Sequence, residues 1–219
     1  DDISPASLSQ TSGMISDPES KSTMFDSTSN NHNQHLTIPY DESNNAALST
    51  ADVYTGEYSV EVLAQFDATI GGKGVYAGNI DDAHSATKGI GLFYTSSANG
   101  VYLRDGSQTL TATSSDNATF GSSLWTHIVA TYDGTTLKYY VNGVLKASAT
   151  GSGHTSWASQ SFKIGKSTDN SSGSSVDYYF DGNFDECVLY NKALTADEVL
   201  ENYYVINMKE LPVYDHLFG

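Results

Sequence analysis

Two turn dipeptides, Asp133-Gly134 and Asn142-Gly143, bracket a short alternating segment, and that spacing constrains the fold more than any other feature of the chain. Both dipeptides tolerate the positive φ of tight hairpin turns. Between them Leu137, Tyr139 and Val141 alternate with Lys138 and Tyr140. A period of two places the first three on one face of a strand. Trp125–Tyr132 precedes this segment, with Trp125 read as a core residue, and Val144–Ala149 returns after it. An antiparallel meander is therefore predicted here.

The same grammar recurs along the chain. Tyr58, Val60, Val62 and Ala64 share one face of a strand over Tyr58–Phe66, and Leu36, Ile38 and Tyr40 alternate after the polar run Asp26–Gln34. Met24 and Phe25 begin a further strand-like stretch. Ile90–Tyr94 pairs with Val101–Leu103, and Leu110–Thr113 extends that meander. Residues 67–88 are rich in Gly and Asp, interrupted by Val75 and Tyr76. Short strands at this spacing predict an all-β fold, a two-sheet antiparallel jelly-roll sandwich. One short C-terminal helix is specified beside it. Thr195 is its N-cap and Glu198 completes a capping box, with Leu194 and Val199 at the hydrophobic-staple positions. Val199 and Tyr203, at i and i+4, dock that helix on the sandwich.

A chain of 219 residues fits one such domain, placed at 22–204. Residues 1–21, rich in Ser, Asp and Pro, read as an N-terminal arm or linker. Residues 205–219 carry Val205, Ile206, Leu211, Val213 and Phe218 and read as an apolar docking tail, for a sheet edge or a partner.

Charge narrows the partners. Ten Lys and Arg stand against 26 Asp and Glu, a formal net charge of −16. Such a surface repels nucleic acid and anionic membrane, and it suits neutral glycans, divalent cations or a basic partner. It also keeps a protein soluble. Cys187 is the single cysteine, so an internal disulfide is excluded. No apolar run is long enough to span a bilayer, so membrane insertion is not expected.

Three segments resemble a known family: MFDSTSNNHNQHLTIPY, LWTHIVATYDGTTLKYYVNG and FDGNFDECVLYNKALTADEVLENYY. They are similar to the opening strands, central hairpin and closing strand and helix of laminin-G-like members of the concanavalin A-like lectin/glucanase superfamily. The resemblance runs from Met24 to Tyr204. It implies one concave and one convex sheet, with ligands held by loops on the concave side or rim. The chain departs from the pattern in the polar insertion around Gly71–Lys88 and in its apolar tail.

Candidate site residues fall in two groups. Asp185 alternates with Cys187 and Leu189, which turns a carboxylate inward, where it must be hydrogen-bonded, neutralised or metal-bound. The resemblance implies a structural Ca²⁺ near this strand and the opening loop, and Asp26, Asn30 and Asn31 would add oxygen ligands. The other reading of Asp185 is a strand-end acceptor for backbone N–H groups. Trp157, in the polar stretch GSGHTSWASQ, can stack on a sugar ring, and one of Tyr178 and Tyr179 must face outward beside it. Against this, Trp157 can simply cap an open end of the core. His127, within a strand, reads as a structural histidine.

A glycosidase is disfavoured. The fold's glucanases carry alternating acids on one strand. Here Glu57 and Glu61 share a face with Ser59 between them, about 13 Å apart by strand rise, too far for a retaining pair. The predicted function is a non-enzymatic, surface-displayed recognition or adhesion module that binds a glycan or surface protein. The alternative is a structural virion protein (decoration or fibre) or a cell-surface assembly protein, contacting other subunits through residues 1–21 and 205–219. Both place the chain outside the cell, on a cell or virion surface.

Overall fold

The computed structural model describes residues 9–12, 21–25, 35–38, 56–66, 74–80, 88–95, 97–105, 108–116, 120, 124–151, 162–165, 180 and 182–208. The strands are β1 (Ser9–Ser12), β2 (Lys21–Phe25), β3 (Leu36–Ile38), β4 (Tyr58–Phe66), β5 (Gly74–Gly78), β6 (Lys88–Tyr94) and β7 (Asn99–Asp105). They continue with β8 (Gln108–Ser114), β9 (Trp125–Tyr132), β10 (Thr136–Val141), β11 (Val144–Thr150), β12 (Phe162–Ile164) and β13 (Gly182–Tyr190), followed by helix α1 (Ala196–Met208).

Two antiparallel sheets result. The seven-stranded sheet has the order β1-β2-β13-β4-β9-β10-β11, and the six-stranded sheet β3-β12-β5-β6-β7-β8. The inner faces follow the alternation in the sequence. Val60, Val62 and Ala64 of β4, Ile128 and Ala130 of β9, and Leu137 and Tyr139 of β10 meet Tyr76, Ile90, Leu92, Val101 and Leu103 of the other sheet in one core. Phe66 is the aromatic hub. Its ring centroid lies 4.6 Å from Phe120, 5.1 Å from Phe180 and 5.2 Å from Tyr76, and each such pair adds roughly 0.5–1.5 kcal/mol to the burial itself.

The two turns behave differently. Asn142 (φ 52°) and Gly143 (φ 76°) form the two-residue hairpin that positive φ at both positions requires. Asp133 keeps negative φ; its Oδ1 instead accepts the backbone N–H groups of Thr135 and Thr136 at 3.0 and 2.7 Å, an Asx-type turn. Only Gly134 carries the positive φ there.

Several expectations need correction. Ser9–Ser12 lies within the expected arm yet forms edge strand β1 on β2. Trp125 sits on the outer face of β9 and is only partly buried, because the inward positions are Ile128, Ala130 and Tyr132. Val75 and Tyr76, an interruption in a loop by sequence, belong to β5 in the middle of the six-stranded sheet. Helix α1 runs on through Val205 and Ile206, so those residues lie in its last turns rather than in the tail.

Helix α1 begins as its capping box predicts. The Glu198 backbone N–H donates to Thr195 Oγ1 at 3.2 Å, and the Thr195 N–H donates to Glu198 Oε2 at 2.8 Å. Glu198 also pairs with Lys192, and these bonds hold its carboxyl down at about 2. Val199 and Leu194 then pack with Val129 and Tyr140 on the outer face of the seven-stranded sheet. Ser59 ties the connection down. Its hydroxyl donates to the Lys192 carbonyl and accepts the Leu194 N–H, both at 2.9 Å.

Candidate functional site

Beneath α1 the outer face of the seven-stranded sheet carries a buried polar cluster centred on Glu61. Register builds it. Glu61 on β4 stands opposite Val129 on β9 and Val188 on β13. Its diagonal neighbours on the same face are therefore His127 and Tyr190, within reach of long side chains. His127 Nε2 lies 2.6 Å from Glu61 Oε1. The Tyr190 hydroxyl donates to Glu61 Oε2, and Asn202 Nδ2, from α1, donates to the same oxygen at 2.9 Å.

Burial opposes the charge on Glu61, but the bonds from His127, Tyr190 and Asn202 outweigh it, and the carboxyl lies below its ordinary range. Burial and the neighbouring carboxylate push the Tyr190 phenol well up. Glu61 is therefore an ionised acceptor fed by donors from two strands and one helix. His127 is 2% exposed, and its enclosed Nδ1 has no hydrogen-bond partner among the described residues. Tyr203 of α1 stacks over the imidazole at 5.9 Å between centroids. The His127 N–H donates to Asn142 Oδ1 at 2.9 Å, which joins the cluster to the hairpin turn.

A pocket of about 230 Å³ opens beside the cluster, lined by Glu61, Glu186, Tyr190 and Asn202 with the apolar side chains of Leu63 and Ile206. Its chemistry is that of an acceptor, because two carboxylates, Glu61 and Glu186, line it. Among the described residues that line it, no nucleophile has a base beside it.

The expected site residues distribute unevenly. Trp157, Tyr178, Tyr179, Asp26, Asn30 and Asn31 lie outside the described residues. Asp185 is described and half-buried, and strict alternation fails there. The β13–β4 register shifts between Phe184 and Glu186, so Phe184 and Cys187, three positions apart, both pack against the core with Asp185 at the bulge between them. For the Ca²⁺ set, β2 ends at Phe25 opposite Gly182, three strand positions from Asp185, or about 10 Å. One ion shared by Asp185 and Asp26 would need the chain after Phe25 to turn back along β13. Among the described residues, no group of three or more His, Cys, Asp and Glu side chains converges as a metal cage.

The sequence reading missed the role of Glu61, which it weighed only as half of a glycosidase pair, and passed over Tyr190 and Asn202. Glu57 is exposed and precedes β4, whereas Glu61 is 4% exposed. One signal was available: Glu61 and His127 are polar residues on strands whose other face is apolar apart from Thr126, upstream of a helix with its own apolar stripe.

Comparison with known proteins follows the architecture. A family model described as the concanavalin A-like lectin/glucanases superfamily matches residues 40–200. No curated protein matches the sequence. Among solved structures, the chain is similar to the CBM40 module of the Ruminococcus gnavus IT-sialidase, at 15% identity and a TM-score of 0.58, over 77% of this chain and 96% of that one. It is similar to domain 4 of AbnA, a GH43 extracellular arabinanase from Geobacillus stearothermophilus solved with arabinotriose, at 19% identity and a TM-score of 0.55, over 89% and 80%. It is also similar to the heptameric SAP-like pentraxin of Limulus polyphemus, at 16% identity and a TM-score of 0.55, over 81% and 78%. With the family model spanning most of the sandwich and these folds superposing on it, the chain belongs to the laminin-G-like branch of the concanavalin A-like lectin/glucanases superfamily.

Proposed function

We propose that the chain is a non-enzymatic recognition module, displayed outside the cell, that binds a glycan. The observation that carries this reading is the extent of the fold match. The chain spans 96% of a module that has been solved with sialyllactose, and 80% of an arabinanase domain solved with arabinotriose. The first of these is the CBM40 of a sialidase and the second is domain 4 of an arabinanase. The polar cluster of this chain supports the same reading: its carboxylate is engaged by donors that fasten a helix, an arrangement suited to structure rather than turnover.

In this reading Trp157 stacks on a sugar ring, with Tyr178 or Tyr179 beside it. Asp185, with Asp26, Asn30 and Asn31, belongs to the same proposal as an oxygen-ligand set for Ca²⁺. Binding at a shallow polar rim is weak per site, and multivalent display supplies avidity. A glycan array probed with and without EDTA tests the proposal. Glycan binding that is lost in Trp157→Ala is the expected result, and loss in EDTA would bring Ca²⁺ into the site. Silence across the array would overturn the module reading, and measurable release of reducing ends from any polysaccharide would overturn the non-enzymatic one.

A further inference from the structure

The chain contains two Asn-Gly pairs, Asn99-Gly100 and Asn142-Gly143. Such a pair is self-reactive: the glycine nitrogen can attack the asparagine Cγ, because glycine has no Cβ to crowd the approach and its backbone turns freely. The fold treats the two pairs very differently.

Asn99-Gly100 is locked in a ladder. Both residues belong to β7, between β6 and β8, and Gly100 stands opposite Phe93 on one side and Thr113 on the other. The N–H of a residue in an interior strand is committed to the ladder. Asn99 is 0% exposed, and its Nδ2 donates to the Asp116 carbonyl at 2.9 Å. Freeing both the nitrogen and the amide here requires neighbouring strands to part.

Asn142-Gly143 is instead the tip of the β10–β11 hairpin. Val141 and Val144 close the ladder beneath it, so the two tip residues stand outside the pairing. Asn142 is half-buried, and the Gly143 N–H has no acceptor among the described residues. The nucleophile is therefore unbonded in the folded chain. One contact tethers the electrophile: Asn142 Oδ1 accepts the His127 N–H at 2.9 Å. Opening the tip needs that bond to break, but not the sheet.

We propose that Asn142 is a site of spontaneous deamidation, and that the isoaspartate formed there loosens helix α1. The Gly143 nitrogen bonds to Asn142 Cγ, the Cγ–Nδ2 bond breaks, and the nitrogen's proton leaves with Nδ2 as ammonia. Water then opens the five-membered succinimide at either carbonyl, giving aspartate or isoaspartate. Isoaspartate carries the main chain through Cβ and Cγ, which lengthens the turn by one backbone atom. A two-residue turn with φ of 52° and 76° has no slack for it. The oxygen that accepted the His127 N–H becomes a main-chain carbonyl, so that tether is lost in its present form. The tip also lies against α1. A Cβ placed on Gly143 would stand 3.0 Å from Leu200 Cδ1 and 3.1 Å from Tyr203 Cδ1, so a displaced tip pushes on the helix. Tyr203 is the side chain that covers His127.

The test uses the full chain, aged in mildly alkaline buffer either folded or in urea. Peptide mapping by mass spectrometry locates each amide converted to acid, and protein isoaspartyl methyltransferase labels the isoaspartate. In the folded chain Asn142 should convert at least about ten-fold faster than Asn99, because a hairpin tip opens more readily than the middle of a sheet. In urea the two should convert at similar rates. Equal rates in the folded chain, or conversion at Asn142 only in urea, overturns the site. The isoaspartyl form is then separated by ion exchange and its hydrogen exchange compared with the unconverted form. Protection should fall in α1 and in the β10–β11 hairpin, and hold in β6 to β8. Unchanged protection in α1 overturns the link to the helix. Asn142→Asp adds the charge without lengthening the turn and should keep α1 protected; loosening equal to that of the isoaspartyl form overturns the backbone explanation.

Discussion

Removing the Glu61 side chain should be among the most damaging single changes in the seven-stranded sheet. Glu61→Ala deletes the acceptor for His127 Nε2, the Tyr190 hydroxyl and Asn202 Nδ2 at once. Those donors do not suffer equally. Tyr190 and Asn202 border the pocket and are half-buried, so water entering the space left by the glutamate can serve them. His127 is 2% exposed and stacked under Tyr203, so it bears the full penalty of an orphaned donor. Breaking a buried charged network by removing one member costs about 3–5 kcal/mol, a large share of the 5–15 kcal/mol that holds a domain together. Glu61→Gln keeps the volume but turns an N–H₂ group toward one of the donors, and should cost about 1–3 kcal/mol. Asn202→Ala, which loses one bond to a charged group, should cost about 1–2 kcal/mol.

Urea unfolding at pH 7 reads these differences directly. The pH dependence supplies an internal check. The folded pKa of Glu61 is lowered from its ordinary value of 4.5. Its contribution is therefore present in full above pH 4.5 and is lost as pH falls through the folded value. The gap between wild type and Glu61→Gln should be constant from pH 7 to 5 and should narrow below pH 4.5. A Glu61→Ala protein within 1 kcal/mol of wild type would refute the reasoning, as would a Glu61→Gln gap equally large at pH 3 and pH 7.

Other perturbations follow from single contacts. Gly143→Ala should destabilise by about 1–2 kcal/mol, since Gly143 has φ 76° and a Cβ there would lie 3.0 Å from Leu200 Cδ1; an unchanged thermal midpoint would contradict the hairpin geometry. Gly182→Ala should be worse, because its Cβ would fall 2.0 Å from the Gln65 carbonyl oxygen, and loss of the β13–β4 pairing should show as lost amide protection in hydrogen exchange. Thr195→Ala removes the cap of α1 and should cost about 1 kcal/mol in urea unfolding. The Cys187 thiol, pushed up to about 12 by burial and by Glu61, should react with a thiol reagent at pH 8 far more slowly in the native protein than in the unfolded one.

The sandwich was legible because its core obeys a period of two. Tyr58 to Phe66, Ile128 to Tyr132 and Leu137 to Val141 alternate without interruption, and the hairpin at Asn142-Gly143 fixes their order. Legibility ended where periodicity did. The bulge at Asp185 slips the β13 register by one residue, and composition does not announce a bulge, so simple alternation misassigned that carboxylate. Trp125 was misplaced for a related reason. A large apolar residue opening a strand suggests burial, but its parity with His127 and Val129 puts it on the other face. The capping box marked the start of α1, while its end at Met208 lay beyond any stop signal.

The polar cluster was illegible for a different reason: it depends on what covers a sheet. A glutamate and a histidine on the outer side of two strands read as solvated until a helix is laid across them. Ser59, Glu61 and His127 are each polar, yet each is less than 5% exposed because Leu194 and Val199 bring α1 down onto Val129 and Tyr140. On the seven-stranded sheet, polar side chains are used up in fastening a helix, which leaves a carboxylate satisfied from three sides. On the six-stranded sheet, the meander β6 to β8 exposes a ladder of threonines beside a stacked guanidinium. A charged group fixed by internal partners in this way stabilises a fold.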